Sequence, residues 1–220
     1  MHKTVQNLIN IQNLIKSKQS VVKNLEIIPK IIAVSKTFRL NHILPLIEYG
    51  HKDYGENKVQ EAVQKWSEIK SNNSKIKLHL VGKLQTNKVK ICLRLFDFIH
   101  SLDNEKLARK ISDEQKKQNL NPKLFIQVNI GNEFQKNGIH VNKLDEFYKY
   151  STELNLNIVG IMCIPPINDD PEISFLRMNY FKKKMNFKEL SMGMSSDYLD
   201  AIKYNSTFLR IGSAIFGDRT

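Results

Sequence analysis

The chain has 220 residues and a mass of 25.6 kDa, with 41% apolar and 25% charged residues. That is the size and composition of one large soluble domain or two small ones, and it excludes a disordered polymer, a collagen-like fibre and a small disulfide-stapled scaffold. The net charge of +12 and pI of 9.6 invite a nucleic-acid reading, but the lysines are scattered and not interleaved with aromatics, so only a general attraction to polyanions is implied.

Residues 4 to 16 open the chain with Thr4 or Val5, Leu8, Ile9 or Ile11, and Ile15 at helical spacing. Short apolar runs of strand length then alternate with longer helical patterns. The strand candidates are residues 31–35, 52–55, 78–82, 96–100, 124–129, 158–162, 189–193 and 208–212. Helical patterns lie between them near 40–49, 57–70, 85–95, 103–118, 140–154, 172–186 and 196–204. Asp103 and the Ser195-Ser196-Asp197 run are candidate N-caps. Pro165-Pro166 through Pro171 reads as an internal loop. Trp66, Phe175, Tyr180 and Phe181 sit at helical spacing and read as core packing.

Strict alternation of strands and helices implies parallel strands with helical crossovers. About eight such units close a (β/α)₈ TIM barrel, here with an additional N-terminal helix and a single domain over residues 1–220. An open doubly wound sheet is the competitor, but no Gly-x-Gly-x-x-Gly follows the first strand, so a dinucleotide site is not supported. No apolar stretch approaches the roughly 18 residues of a membrane span, and residues 1–7 lack the apolar core of a signal peptide. Cys92 and Cys163 lie inside apolar runs and read as buried reduced thiols. A cytoplasmic protein is the expectation.

In such a barrel, chemistry belongs at the C-terminal ends of the strands. Those positions carry Lys36, Asn57, His79 or Lys83, His100, Asn129, Met162, Ser191 to Ser195 and Arg210 to Ser213. A partly desolvated Lys36 would have a pKa below the usual value of about 10.4 and a lone pair free to attack a carbonyl. A solvated lysine ending a strand is the plainer alternative. Barrels often seat a phosphate in the loops after their last two strands, and here those loops read Ser191-Met192-Gly193-Met194-Ser195-Ser196 and Arg210-Ile211-Gly212-Ser213. Small residues admit backbone N–H groups to a phosphate; ordinary turn and capping chemistry would use them equally well. Alternation on the last strand turns Arg210 and Gly212 the same way. An inward guanidinium needs an acceptor, either a carboxylate across the barrel or a pyridine nitrogen. Pyridoxal 5′-phosphate (PLP) supplies that nitrogen, an aldehyde and a phosphate in one molecule.

These residues carry a resemblance to the YggS/PROSC family of pyridoxal phosphate homeostasis proteins. The matching segments are Ala33-Val34-Ser35-Lys36-Thr37, Tyr54-Gly55-Glu56-Asn57-Lys58-Val59-Gln60-Glu61 and His79-Leu80-Val81-Gly82-Lys83-Leu84-Gln85-Thr86-Asn87-Lys88. Further matches are Gln127-Val128-Asn129, Gly160-Ile161-Met162, Leu190 to Asp197 and Arg210 to Gly217. The resemblance implies a fold similar to the barrel domain of alanine racemase, with Lys36 carrying PLP as a Schiff base. It also implies phosphate contacts from Ser191, Gly193, Ser195, Gly212 and Ser213, Arg210 at the pyridine nitrogen, and Asn57 and Met162 along the ring. Two departures stand out. Lys83 occupies a position that is often histidine in the family, so no role of that histidine carries over. Residues 132–138 also diverge, with Phe134 and Gln135 where smaller or more acidic residues are usual.

Racemisation needs acid–base groups on both faces of the bound substrate. The alanine racemase resemblance supplies one face from a second domain, which a chain stopping at Thr220 is expected to lack. An arginine at the ring nitrogen also disfavours the protonated pyridinium that would absorb carbanion charge. The expectation is a non-catalytic PLP carrier in intracellular vitamin B6 homeostasis, a monomer that serves PLP-dependent apoenzymes and binds no specific nucleic acid and no membrane. A weak PLP-dependent amino-acid racemase or Schiff-base lyase is the alternative. His79 and His100 do not fall into a metal-ligand spacing, and Glu56 either orients a ligand or caps the following helix.

Overall fold

The computed structural model describes residues 1–21, 28–131, 133 and 137–217. The alternating pattern closes on itself. Parallel strands β1 (Lys30–Val34), β2 (Asp53–Glu56), β3 (Lys77–Leu80), β4 (Phe98–Leu102) and β5 (Lys123–Asn129) pair in sequence. A two-residue strand, β6 (Ile139–His140), pairs with β5 outside the ring. The ring continues through β7 (Ile158–Met162), β8 (Glu189–Ser191) and β9 (Phe208–Ile211), and β9 returns to β1. These eight ring strands make a closed barrel, a single α/β domain of the TIM-barrel class.

Outside it lie α2 (Leu40–Glu48), α3 (Val59–Asn72), α4 (Val89–Leu95), α5 (Glu105–Gln118), α6 (Leu144–Glu153), α7 (Pro171–Lys184), α8 (Tyr198–Lys203) and the short α9 (Ser213–Phe216). The additional helix α1 (Lys3–Val21) buries Val5, Leu8, Ile11 and Ile15 against α2, α8 and α9. Its Asn7 Nδ2 donates to the Ile215 carbonyl at 2.9 Å, so the helix supports the turn that follows the last strand.

Period-two alternation sorts the strand side chains into two cores. Ile32, Val34, Phe98, Phe125, Met162 and Phe208 pack inside the barrel. The remaining strand faces, with Trp66, Phe175 and other apolar helix residues, fill the layer between strands and helices. Both cysteines are buried and free, and burial pushes the Cys163 thiol up to about 12.

Several local features depart from the sequence reading. The cap of α5 is Asn104, whose side chain accepts from Leu107 N at 2.9 Å; Asp103 instead accepts from the Asn104 amide. Asp197 precedes α8 without capping it and accepts from Met194 N at 2.6 Å. Tyr180, assigned to the core by spacing, is exposed on α7, while Phe175 is fully buried. Phe134 and Gln135 lie outside the described residues. Among the described residues, no helix is long and apolar enough to cross a membrane.

Gly160 is where the ring is tightest. A Cβ there would stand 2.0 Å from the Glu189 carbonyl oxygen on β8, and that atom belongs to backbone and cannot rotate away. Overpacking of this kind costs about 3 kcal/mol. Gly160→Ala is expected to lower unfolding stability by about that amount in urea titrations, with β7–β8 amide exchange accelerated first.

Candidate functional site

The C-terminal mouth of the barrel holds a cavity of about 490 Å³, within the range of small-molecule sites. Of the residues singled out from sequence, Lys36, Asn57, Ser195, Arg210, Gly212 and Ser213 line it. Phe38, Val81, Ile164 and Met194 supply apolar wall that the sequence reading did not assign. Met162, Ser191 and Gly193 are not part of the wall. Met162 packs with the inner barrel core, and Ser191 is fully buried beneath the cavity. Gly193, at φ +92°, leaves no room for a Cβ between Ala201 and Leu209, and its carbonyl accepts from Arg210 N at 2.9 Å. Asn129 closes its own loop by donating to the Glu133 carbonyl at 2.8 Å, and Lys83 reaches across to Asn137 Oδ1 at 2.8 Å.

Lys36 follows β1 with Ile32 and Val34 below it on the same inward row. The next residue, Thr37, has φ +68°, a left-handed conformation that is costly for a β-branched side chain. The turn is held by a buried polar tie. Glu56 Oε1, fully buried at the end of β2, accepts from Ser35 Oγ at 2.8 Å, Lys65 Nζ at 2.8 Å and Trp66 Nε1 at 2.9 Å. Lys65 also donates to the Ser35 carbonyl at 2.9 Å. Glu56 therefore neither lines the cavity nor caps α3; it pins the residue before Lys36 to the helix behind it. Asn57 is placed by Gly82, where a Cβ would stand 2.3 Å from the Asn57 carbonyl oxygen.

The last two strand ends meet across the cavity. Ser195 Oγ accepts from Gly212 N at 3.2 Å and Ala214 N at 3.3 Å. Two backbone N–H groups thus converge on one oxygen at the wall of the cavity. Phe38 stacks on Phe216 at 4.9 Å and joins the loop after β1 to α9.

Arg210 is buried, and its guanidinium has no carboxylate within ion-pair distance among the described residues. The carboxylate alternative from sequence is thereby corrected. Nη1 donates to Ser191 Oγ at 2.7 Å and Nη2 to the Cys163 carbonyl at 2.7 Å. Beneath Ser191, His100 Nδ1 lies 2.9 Å from its hydroxyl, and the second ring nitrogen lies 3.0 Å from His79 Nδ1. His79 Nε2 is 3.0 Å from Asp53 Oδ1. Both imidazoles stack on phenyl rings, His79 on Phe98 at 4.3 Å and His100 on Phe125 at 4.2 Å.

Burial lowers the pKa of both histidines, and His79 and Arg210 press His100 down further. Burial alone would raise Asp53, but the hydrogen bond from His79, with cationic Lys30 nearby, holds the carboxyl below its ordinary value. Asp53 borders a second cavity of about 720 Å³ at the N-terminal mouth. Lysines spread along the chain gather there, among them Lys30, Lys52, Lys75, Lys77 and Lys123.

The donor set fits PLP on this chain's own geometry: an amine, a buried guanidinium without a carboxylate, and converging N–H groups share one cavity. A match to the alanine racemase N-terminal domain covers residues 8–220. The "Pyridoxal phosphate homeostasis protein" of Aquifex aeolicus is 36% identical over 203 residues, 86% of this chain and 87% of that protein. The protein of the same name from Pasteurella multocida is 34% identical over 97% of both chains. The chain belongs to the alanine racemase N-terminal domain family and, within it, to the pyridoxal phosphate homeostasis proteins. PipY of Synechococcus elongatus PCC7942, solved without PLP, superposes with a TM-score of 0.82 at 30% identity, over 94% of this chain and all of that one. Its PLP-bound form gives 0.79 at 29% identity, with the same coverage. An alanine racemase from Clostridium difficile shares the fold at TM-score 0.71 and 16% identity.

Two outcomes follow. Glu56→Gln removes the charge facing Lys65 and is expected to cost about 3 kcal/mol of unfolding stability, whereas Glu61→Gln at the exposed Lys58 pair changes it by less than about 1 kcal/mol. His79 and His100 are neutral in the folded chain while unfolded histidines protonate near pH 6.5, so the unfolded state binds more protons on acidification. Stability is fully present above about pH 6.5 and falls as pH drops below it, most through His100, with about 1.4 kcal/mol per pH unit as the limit for one imidazole that stays neutral. Urea midpoints measured from pH 7.5 to 5 test this, and His100→Phe should reduce the slope by one histidine's share.

Proposed function

We propose that this cavity holds PLP and that the protein is a non-catalytic carrier in intracellular PLP homeostasis. In this reading Nζ of Lys36 condenses with the PLP aldehyde, forming a carbon–nitrogen double bond and releasing water. The phosphate rests against Ser195, Ser213 and the Gly212 turn, Asn57 flanks the ring, and Arg210 meets the pyridine nitrogen. The observation that carries it is the convergence of Lys36, Arg210 and the Ser195–Gly212 turn on one small cavity.

Arg210 also bears on the chemistry. A guanidinium only donates hydrogen bonds and stays protonated, so the ring nitrogen facing it accepts and carries no proton. That weakens the ring as a sink for carbanion charge. The described walls offer one amine, one guanidinium, hydroxyls and an amide, whereas racemisation calls for proton-transferring groups on two faces. Reversible exchange of the imine with another amine, or with water, requires only Lys36 and suits storage and delivery to PLP-dependent apoenzymes. A monomer is the working unit in this reading. Two buried free thiols support a cytoplasmic setting.

Purified protein mixed with PLP is expected to show a visible imine band, and borohydride should fix the cofactor on Lys36. Lys36→Ala should abolish both and raise the PLP Kd about a hundredfold, about 2.7 kcal/mol. A mutant that keeps the band, or trapping at another residue, overturns the assignment. Chiral analysis of amino acids incubated with the loaded protein separates carrier from racemase, since turnover lost in Lys36→Ala would establish catalysis.

A further inference from the structure

The hydrogen-bond line beneath the cavity has one possible direction. The Asp53 carboxylate can only accept, so a neutral His79 donates to it from Nε2 and accepts at Nδ1 from a neutral His100. His100 Nδ1 then accepts the Ser191 proton, while Ser191 Oγ accepts from Arg210. The single proton of each imidazole therefore sits on Nε2. One guanidinium and one carboxylate, at opposite mouths of the barrel, are joined through three buried neutral groups with every proton assigned.

A proton cannot travel this line to the cavity, because its upper end is a guanidinium that neither accepts nor releases one under ordinary conditions. Its chemical consequence is placement. A direct carboxylate would neutralise Arg210 and take its fork in a bidentate pair. Ser191 and the Cys163 carbonyl instead grip one N–H on each terminal nitrogen and leave the guanidinium beside the cavity without a direct carboxylate, although the charge of Asp197 is felt there. Phe98 and Phe125 clamp the two imidazoles, so the line cannot bend.

We infer that Ser191, His100, His79 and Asp53 form a tautomer-locked positioning line that aims Arg210 at the ring of the bound cofactor. Ser191 accordingly serves the guanidinium and not the phosphate. This rests on the PLP reading of the cavity and adds a role for four residues outside its wall.

The test uses the full chain and two ligands, PLP and pyridoxal, which lacks the phosphate. Ser191→Ala and His100→Phe are expected to weaken both ligands by the same factor, about tenfold, and to shift the imine absorbance, while borohydride still traps Lys36. His100→Gln keeps a donor and an acceptor and should recover most of the affinity. Ser195→Ala should weaken PLP alone. A loss in Ser191→Ala confined to PLP makes Ser191 a phosphate contact and overturns the proposal, as does wild-type affinity and absorbance for both ligands in both variants. If His100→Phe does not fold, Ser191→Ala carries the comparison. Nitrogen-15 NMR of the wild-type protein without ligand must find both imidazoles neutral and protonated on Nε2 at pH 7; a proton on His100 Nδ1 defeats the line whatever binds. Failure of the wild-type protein to form the imine would instead remove the cofactor reading and leave the tautomers as measured.

Discussion

A guanidinium inside the mouth of a barrel is the constraint around which this molecule is organised. Burying Arg210 strips it of water, and no carboxylate stands within ion-pair distance of it among the described residues. An unpaired buried charge is untenable, so the fold must supply oriented dipoles in its place. It does so with a serine, a backbone carbonyl and a line of two neutral imidazoles ending on Asp53. The barrel interior is therefore unusual for its class: layers of phenyl and aliphatic side chains are threaded by a polar line along their depth. Each polar member is matched, and the aromatic stacking that holds the imidazoles also keeps water from competing.

The same economy shapes the approach to Lys36. The proposed imine requires Lys36 to stand at a fixed place with its backbone held, and that backbone passes through a left-handed threonine. Glu56 and Lys65 hold Ser35 from behind, with Trp66 on the same carboxylate, so a buried tie beside the turn offsets the conformational cost at Thr37. On the opposite side, the Gly212 turn is braced by Phe38 on Phe216 and by Asn7 of the N-terminal helix. The first and last units of the barrel thus build one site because ring closure makes β1 and β9 neighbours.

Family membership and geometry bear on different parts of the function. Relatives named for PLP homeostasis match most of this chain, whereas alanine racemases share its fold at identities too low to carry chemistry across. What separates a carrier from a racemase is local: how many proton-transferring groups face the bound molecule, and whether the ring nitrogen can hold a proton. In the proposed reading, Arg210 bears on the second question through its inability to accept a proton.

Much was legible in the order of residues. Period-two runs separated by helical stretches specified parallel strands with crossovers, and the strand ends marked Lys36, Asn57, Ser195, Arg210, Gly212 and Ser213, because alternation and C-terminal placement are local properties. Boundaries moved by a residue or two, and β6 was hidden within a helical pattern. Ser191, Gly193 and Met162 share motifs with cavity residues yet lie beneath the wall, since neighbours along a strand end face different layers. The role of Glu56 and the line from Asp53 to Arg210 needed the closed ring. Sequence shows two histidines 21 residues apart; the pairing of β3 with β4 makes them neighbours, but only the closed ring carries the line on from His100 to Ser191 on β8 and Arg210 on β9, because contact across a barrel depends on register and closure, which no local pattern encodes.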